Sequence, residues 1–139
     1  MYVNQVELNR KETRSLIVQS SQRNNLKCTS KEIDSHRFTK FLLANYCWSK
    51  QIEFFTEAEI KSGGRADFII SDWKLIIEVY ETENTESLEN KKIKYPQSVG
   101  FIPLRAGTIE TEIWEMLNDL ASTNGQTWTY YYNKWREAE

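Results

Sequence analysis

The segment Leu75-Ile76-Ile77-Glu78-Val79-Tyr80 constrains the fold of this chain more than any other stretch. Five of its six residues are aliphatic or aromatic, and the run has the length of a strand buried at the centre of a sheet. Glu78 breaks the pattern. An acid among Ile76, Ile77 and Val79 is costly to bury unless hydrogen bonds, a cation or a metal compensate it, so this one residue carries the most information about what the chain does. Alternation along a strand puts Glu78, Tyr80 and Thr82 on one face, and Val79 and Glu81 on the other.

The surrounding pattern supplies the partners of that strand. Upstream, Ser30 can cap a helix over roughly 31–48, with Ile33, Phe38, Phe41, Leu42 and Tyr46 on its buried stripe. Residues Ile52 to Ile60 are β-prone at their start, and Ser62-Gly63-Gly64 is a strong turn signal. Ala66 to Ile70 then forms a second short strand and Lys74 to Tyr80 the third. Glu83 to Lys94 fits an exposed helix that ends before Tyr95-Pro96, and Val99 to Leu104 is a fourth strand. Apolar residues recur at helical spacing from Thr108 to Leu120, and Asn124-Gly125 closes that helix. At the N-terminus, Tyr2 to Leu8 and Arg14 to Ser20 flank the polar Asn9-Arg10-Lys11-Glu12, which predicts a β-hairpin, followed by a loop over Ser21 to Thr29.

The order from residue 31 is α-β-β-β-α-β-α, a mixed sheet flanked by helices within an α/β fold. The length of 139 residues suits one domain. We divide it into an N-terminal hairpin or arm at 1–29, a core at 30–105, and a C-terminal helix with an aromatic tail at 106–139.

Composition narrows the functional classes. Hydrophobic residues make up 40% and charged residues 27%, an ordinary globular balance. No apolar run approaches the ~20 residues of a membrane span, and Met1 to Arg14 lacks the apolar stretch of a signal peptide, so an intracellular, cytoplasmic protein with no membrane partner is expected. Cys28, Cys47 and the single histidine, His36, do not make the paired spacing of a zinc site. A net charge of −2 means that any nucleic-acid surface must be local. Local clusters exist at Arg23, Lys27 and Lys31, at Arg37 and Lys40, and at Lys91, Lys92 and Lys94.

Magnesium and manganese prefer oxygen ligands, and carboxylates on adjacent strands hold such an ion on rigid backbone while leaving room for water and phosphate. Asp67, near the start of the second strand, and Glu78, in the third, meet that requirement. The order Gly63-Gly64-Arg65-Ala66-Asp67-Phe68-Ile69-Ile70, followed by Leu75-Ile76-Ile77-Glu78-Val79-Tyr80, resembles the core of the PD-(D/E)xK nuclease superfamily. The resemblance extends over about 75 residues, from the helix near 31 to the strand ending near Leu104, and includes the αβββαβ order. It implies a restriction-endonuclease-like, Holliday-junction-resolvase-like core and a metal-dependent nuclease, endo- or exo-acting, that hydrolyses phosphodiester bonds in DNA of linear, branched or single-stranded form. It further implies Mg2+ or Mn2+ bound by Asp67, Glu78 and the Val79 carbonyl. An upstream acid often joins such a site, and Glu57 is our choice, with Glu59 a close competitor and Glu32 a distant one.

The superfamily places a lysine two residues after the strand acid, where this chain has Tyr80. A phenol at neutral pH cannot supply that lysine's charge. Three readings follow. The cation has migrated, to Lys91, Lys92 or Lys94 on the following helix or to Arg65 in the turn, with Lys92 slightly favoured to face the scissile phosphate. Alternatively the metal alone activates water, with Tyr80 positioning water or DNA. In the third reading catalysis is lost and a nucleic-acid-binding or assembly protein remains. On the catalytic readings Asp67, Glu78, Lys92 and Tyr80 form the reacting site, and Arg65, Lys91, Lys94, Arg37 and Lys40 contact nucleic acid. His36, beside Arg37 and Lys40, is expected at a surface or packing position, with phosphate contact as the sharper alternative.

The tail Thr127-Trp128-Thr129-Tyr130-Tyr131-Tyr132-Asn133-Lys134-Trp135 is unusually aromatic, with Trp128, Tyr131 and Trp135 on one helical face. Core or dimer packing is the expected use, and stacking on unpaired bases is the alternative. A homodimer is expected because a lone small nuclease domain cuts one strand.

Overall fold

The computed structural model describes residues 4–19 and 21–138. Its helices are α1 (Gln5–Leu16), α2 (Asp34–Lys50), α3 (Thr85–Lys94), α4 (Glu110–Ser122) and α5 (Trp128–Ala138). Its strands are β1 (Phe54–Glu59), β2 (Arg65–Ile70), β3 (Leu75–Tyr80) and β4 (Gly100–Arg105), and a 3-10 turn, Ser71–Trp73, joins β2 to β3. They form one sheet in the order β1-β2-β3-β4. The first two pairings are antiparallel and β3–β4 is parallel, with α3 as the crossover. The chain is therefore an α/β protein with a mixed four-stranded sheet.

All six residues of β3 are buried, as the apolar run required. Phe68, Ile70, Leu75, Ile77, Val79 and Ile102 line one face of the sheet, against Leu43, Tyr46 and Cys47 of α2 and Ile113, Leu117 and Leu120 of α4. Phe55, Ile69, Ile76 and Phe101 line the other, with Ile17, Tyr95 and Val99. Strand β4 is an edge, and α5 packs along it. The N–H groups of Gly100 and Ala106 donate to the carbonyls of Lys74 and Tyr80. By alternation Pro103 faces away from β3, so its missing N–H costs the ladder nothing. At Gly100 a side chain is excluded, since a Cβ would lie 2.8 Å from both the Trp128 ring and Leu75.

The N-terminal segment departs from expectation. Of the residues predicted as a β-hairpin, Gln5–Leu16 belong to α1 instead and Ile17 makes an isolated antiparallel bridge with Ile60, while Tyr2, Val3 and Ser20 lie outside the described residues. The Asn4 side chain caps α1 by accepting the N–H groups of Val6 and Glu7. The stretch read as a turn lies inside the helix because its inward side chains are polar. Asn9 and Thr13 are buried, and Asn9 Nδ2 donates to the Asp72 carbonyl at 2.9 Å. Arg10 binds both carboxylate oxygens of Asp72, at 2.6 and 3.0 Å, and Arg14 pairs with Glu53. Burial lifts the Glu53 carboxyl, but hydrogen bonds from Arg14 and Ser71 outweigh it and hold the group below the usual range. A helix docked through ion pairs leaves no apolar periodicity to read.

The aromatic tail forms α5, with Trp135 buried and Trp128 partly buried against the core. Tyr131 is also partly buried against the core, and its hydroxyl reaches α4, donating to Asp119 Oδ2 at 2.6 Å. No helix among the described residues is long and apolar enough to cross a membrane.

Candidate functional site

The strand registers gather three acids into one row. Thr56 pairs with Phe68 and Ala58 with Ala66, so Glu57 lies across from Asp67. The β2–β3 register runs from Ile70 and Leu75 to Phe68 and Ile77, and one further step sets Asp67 across from Glu78. Beyond Phe68 the carboxylates satisfy the backbone. The Val79 N–H donates to Asp67 Oδ2 at 2.9 Å, and the Asp67 N–H donates to Glu78 Oε1 at 3.2 Å. Each acid is thus tied to the strand that carries the other.

Glu78 is 2% exposed. The Tyr95 hydroxyl, following α3, lies 3.1 Å from Glu78 Oε1, and the Lys91 ammonium lies 3.6 Å from Glu78 Oε2. Burial first, and then repulsion from Asp67, push the Glu78 carboxyl up to about 8, against the opposing pull of Lys91. Lys91 also meets Glu83 at 2.7 Å. Burial works to lower its pKa, but Glu83 and Glu78 outweigh that and raise it.

Glu57 occupies the left-handed region, with φ at 49°, inside a strand. Such a backbone is strained for a residue with a side chain, and strain of this kind clusters at functional positions. Burial and then the Asp67 and Glu32 charges raise its pKa, with Lys40 opposing. Lys40 and His36 stand one helical turn apart on α2 and reach the same row: Lys40 Nζ is 3.5 Å from Glu57 Oε2, and His36 Nε2 is 3.6 Å from Asp67 Oδ2.

Several expected contacts take other forms. Lys92 does not point at the carboxylates; its ammonium lies over the rings of Trp128 at 5.8 Å and Tyr132 at 5.3 Å. Lys91, one position earlier, faces Glu78. Lys40, expected to meet nucleic acid, is fully buried, its ammonium donating to the Lys27 carbonyl at 2.7 Å and to Glu32 Oε1 at 3.0 Å. Two carboxylates and a carbonyl draw it inward. Arg37 is half-buried and donates to the carbonyls of Thr29 and Ser30, tying down the loop before α2. Arg65 and Lys94 are exposed, and Arg65 sits 3.6 Å from the equally exposed Glu59. Tyr80 is buried with Leu88 and Trp135 in the contact between β3, α3 and α5, and the Arg105 guanidinium lies 6.0 Å from its ring. Tyr95 and Glu83 escaped sequence reasoning. Tyr95 was legible only as a helix end before Pro96, and Glu83 only as a charge on an exposed helix.

Among the described residues no group of three or more His, Cys, Asp or Glu side chains is gathered to hold a metal ion. Asp67 and Glu78 form a two-carboxylate set of the kind that binds a hard cation together with water and phosphate oxygens. The raised Glu78 carboxyl fits that donor chemistry, because a cation beside it would offset both its burial and its repulsion from Asp67. Comparison with family models, with characterised proteins and with solved structures gives no match to this chain.

Proposed function

We propose that the chain is a metal-dependent nuclease of the PD-(D/E)xK type, with a restriction-endonuclease-like core, that hydrolyses phosphodiester bonds in DNA. The observation that carries this reading is the Asp67–Glu78 pair, cross-tied through backbone N–H groups on adjacent strands of an α-β-β-β-α-β unit, with a lysine ammonium 3.6 Å from Glu78. Asp67 and Glu78 would hold Mg2+ or Mn2+ with the Val79 carbonyl, which leaves its strand on the same side as the N–H bound to Asp67. When bound there, such an ion would supply a water of lowered pKa and charge neutralisation at the phosphate. Tyr95 fixes the Glu78 carboxylate from the α3 side. Lys91, rather than Lys92, contacts a non-bridging phosphate oxygen, and Glu57, held by Lys40, completes the acidic row.

The test is cleavage of linear, branched and single-stranded DNA with each metal, comparing the parent with Asp67→Asn and Glu78→Gln. Parental activity in either variant would sink the mechanism. Tyr80 favours a second reading, because its ring serves as packing where active relatives carry a charge. On that reading the chain is a non-catalytic nucleic-acid-binding or assembly protein, and the parent cleaves no substrate with either metal while retaining affinity for nucleic acid.

A further inference from the structure

A lysine at position 80 would project from a rigid strand two residues from Glu78. Lys91 approaches the same carboxylate from the last turns of a helix, on a flexible four-carbon stem. An ammonium on such a stem needs an anchor to keep one position. Glu83 lies in the loop between β3 and α3, directly before Asn84, whose side chain caps α3 by accepting the Ser87 N–H. Its carboxylate is 2.7 Å from Lys91 Nζ, within the range of a charge-assisted hydrogen bond, while Glu78 is 3.6 Å away. Side chains on a helix lean towards its N-terminus, so Lys91 leans back to the end where Glu83 and β3 lie. The side chains of Lys91 and Glu83 are 36% and 32% exposed, so the pair stands at the mouth of the site, accessible to a substrate oxygen. An ammonium has three N–H donors. Glu83 can take one, and Glu78 Oε2 lies 3.6 Å from the same nitrogen.

We infer that Glu83 is the positioning residue for Lys91, holding its ammonium beside Glu78 in place of the strand rigidity that position 80 does not supply. The inference rests on the nuclease reading. Its rival is a half-exposed ion pair with no bearing on the reaction.

The experiment uses the full chain with Mn2+ and the variants Glu83→Gln, Glu83→Asp and Lys91→Met. It measures kcat and KM on DNA, Mn2+ affinity by calorimetry, and, with diamagnetic Mg2+ in place of Mn2+, the 15N resonance of the Lys91 ammonium. Glu83→Gln is expected to lower kcat by roughly 10- to 100-fold, the range for a residue that orients a reacting group. KM and Mn2+ affinity stay near the parental values, Glu83→Asp recovers most of the loss, and the Lys91 resonance broadens in Glu83→Gln alone. Parental kcat and an unchanged Lys91 resonance in Glu83→Gln would overturn the role of Glu83. Parental kcat in Lys91→Met, or a parent that cleaves nothing, would instead overturn the reading on which it rests.

Discussion

Asp67 and Glu78 each accept a hydrogen bond from backbone that belongs to the other's strand, Val79 N–H to Asp67 at 2.9 Å and Asp67 N–H to Glu78 at 3.2 Å. The exchange holds two carboxylates together although repulsion opposes their both being ionised. The cost of burial first, and then of that repulsion, appears in the raised pKa of Glu78, the more deeply buried partner.

That cost sets a pH dependence. The folded pKa of Glu78 lies near 8, above its ordinary value of 4.5, so the folded state binds the extra proton between these limits. Its contribution to stability is complete below about 4.5 and is lost as pH rises through 8. Thermal melts without divalent metal should show a midpoint that falls by several degrees from pH 5 to pH 9, and Glu78→Gln should flatten the profile. If the site binds metal as proposed, Mn2+ should restore the parental midpoint at pH 9 and leave that of Glu78→Gln little changed. A parental profile that is flat without metal would contradict the buried, protonated state.

Lys91 and Lys92 are neighbours in sequence with different destinations. Lys91→Ala should reduce cleavage by about 100-fold or more, the scale for removing a group that stabilises transition-state charge. Lys92→Ala should leave turnover close to parental and cost about 1 kcal/mol of stability through its lost ring contacts. Steady-state cleavage and urea denaturation of both variants separate the two effects.

Lys40 is fully buried among Glu32, Glu57 and the Lys27 carbonyl, so its loss should be read in stability. Lys40→Met leaves two acids without their cation and should destabilise the protein by about 3–5 kcal/mol. Adding Glu32→Gln and Glu57→Gln should recover most of that loss. Denaturant midpoints of the single and triple variants decide the matter. By contrast, exposed Arg65 and Lys94, where they meet phosphates, should each reduce the salt dependence of DNA binding by about one unit of slope when changed to Ala.

Helix α1 is tied down by Arg10–Asp72 and Arg14–Glu53, whose acids are nearly buried. Arg14→Ala should destabilise the protein by about 1–3 kcal/mol and raise hydrogen exchange throughout α1, the partial exposure of the arginine keeping the value below that of a fully buried pair. The folded pKa of Glu53 is depressed, so its contribution is present above the ordinary 4.5 and lost as pH falls below it. The parent should therefore lose protection of α1 in acid at a higher pH than the core strands.

The sequence by itself determined the elements whose apolar side chains follow a period. An all-apolar run with one acid marked β3, a Gly-Gly turn separated β1 from β2, and helical spacing marked α4. Helix α2 forms where it was expected, but of its expected buried stripe only Leu42 and Tyr46 are buried, while Phe38 and Phe41 are exposed on the helix and Ile33 is exposed just before it. The sequence also singled out Glu78, an acid inside such a run whose burial needs compensating partners, and Asp67 on the strand before it. Tertiary structure decided everything that depends on where a polar side chain ends. Asn9, Arg10 and Arg14 read as turn and strand because local pattern cannot register a helix whose buried face is held by Asp72 and Glu53, 62 and 39 residues away. The destinations of Lys40, Lys91 and Lys92 were equally hidden. A lysine carries a long stem and a charge, and its position follows the nearest available carboxylate or ring, which only the packing of α2, α3 and α5 against the sheet brings within reach.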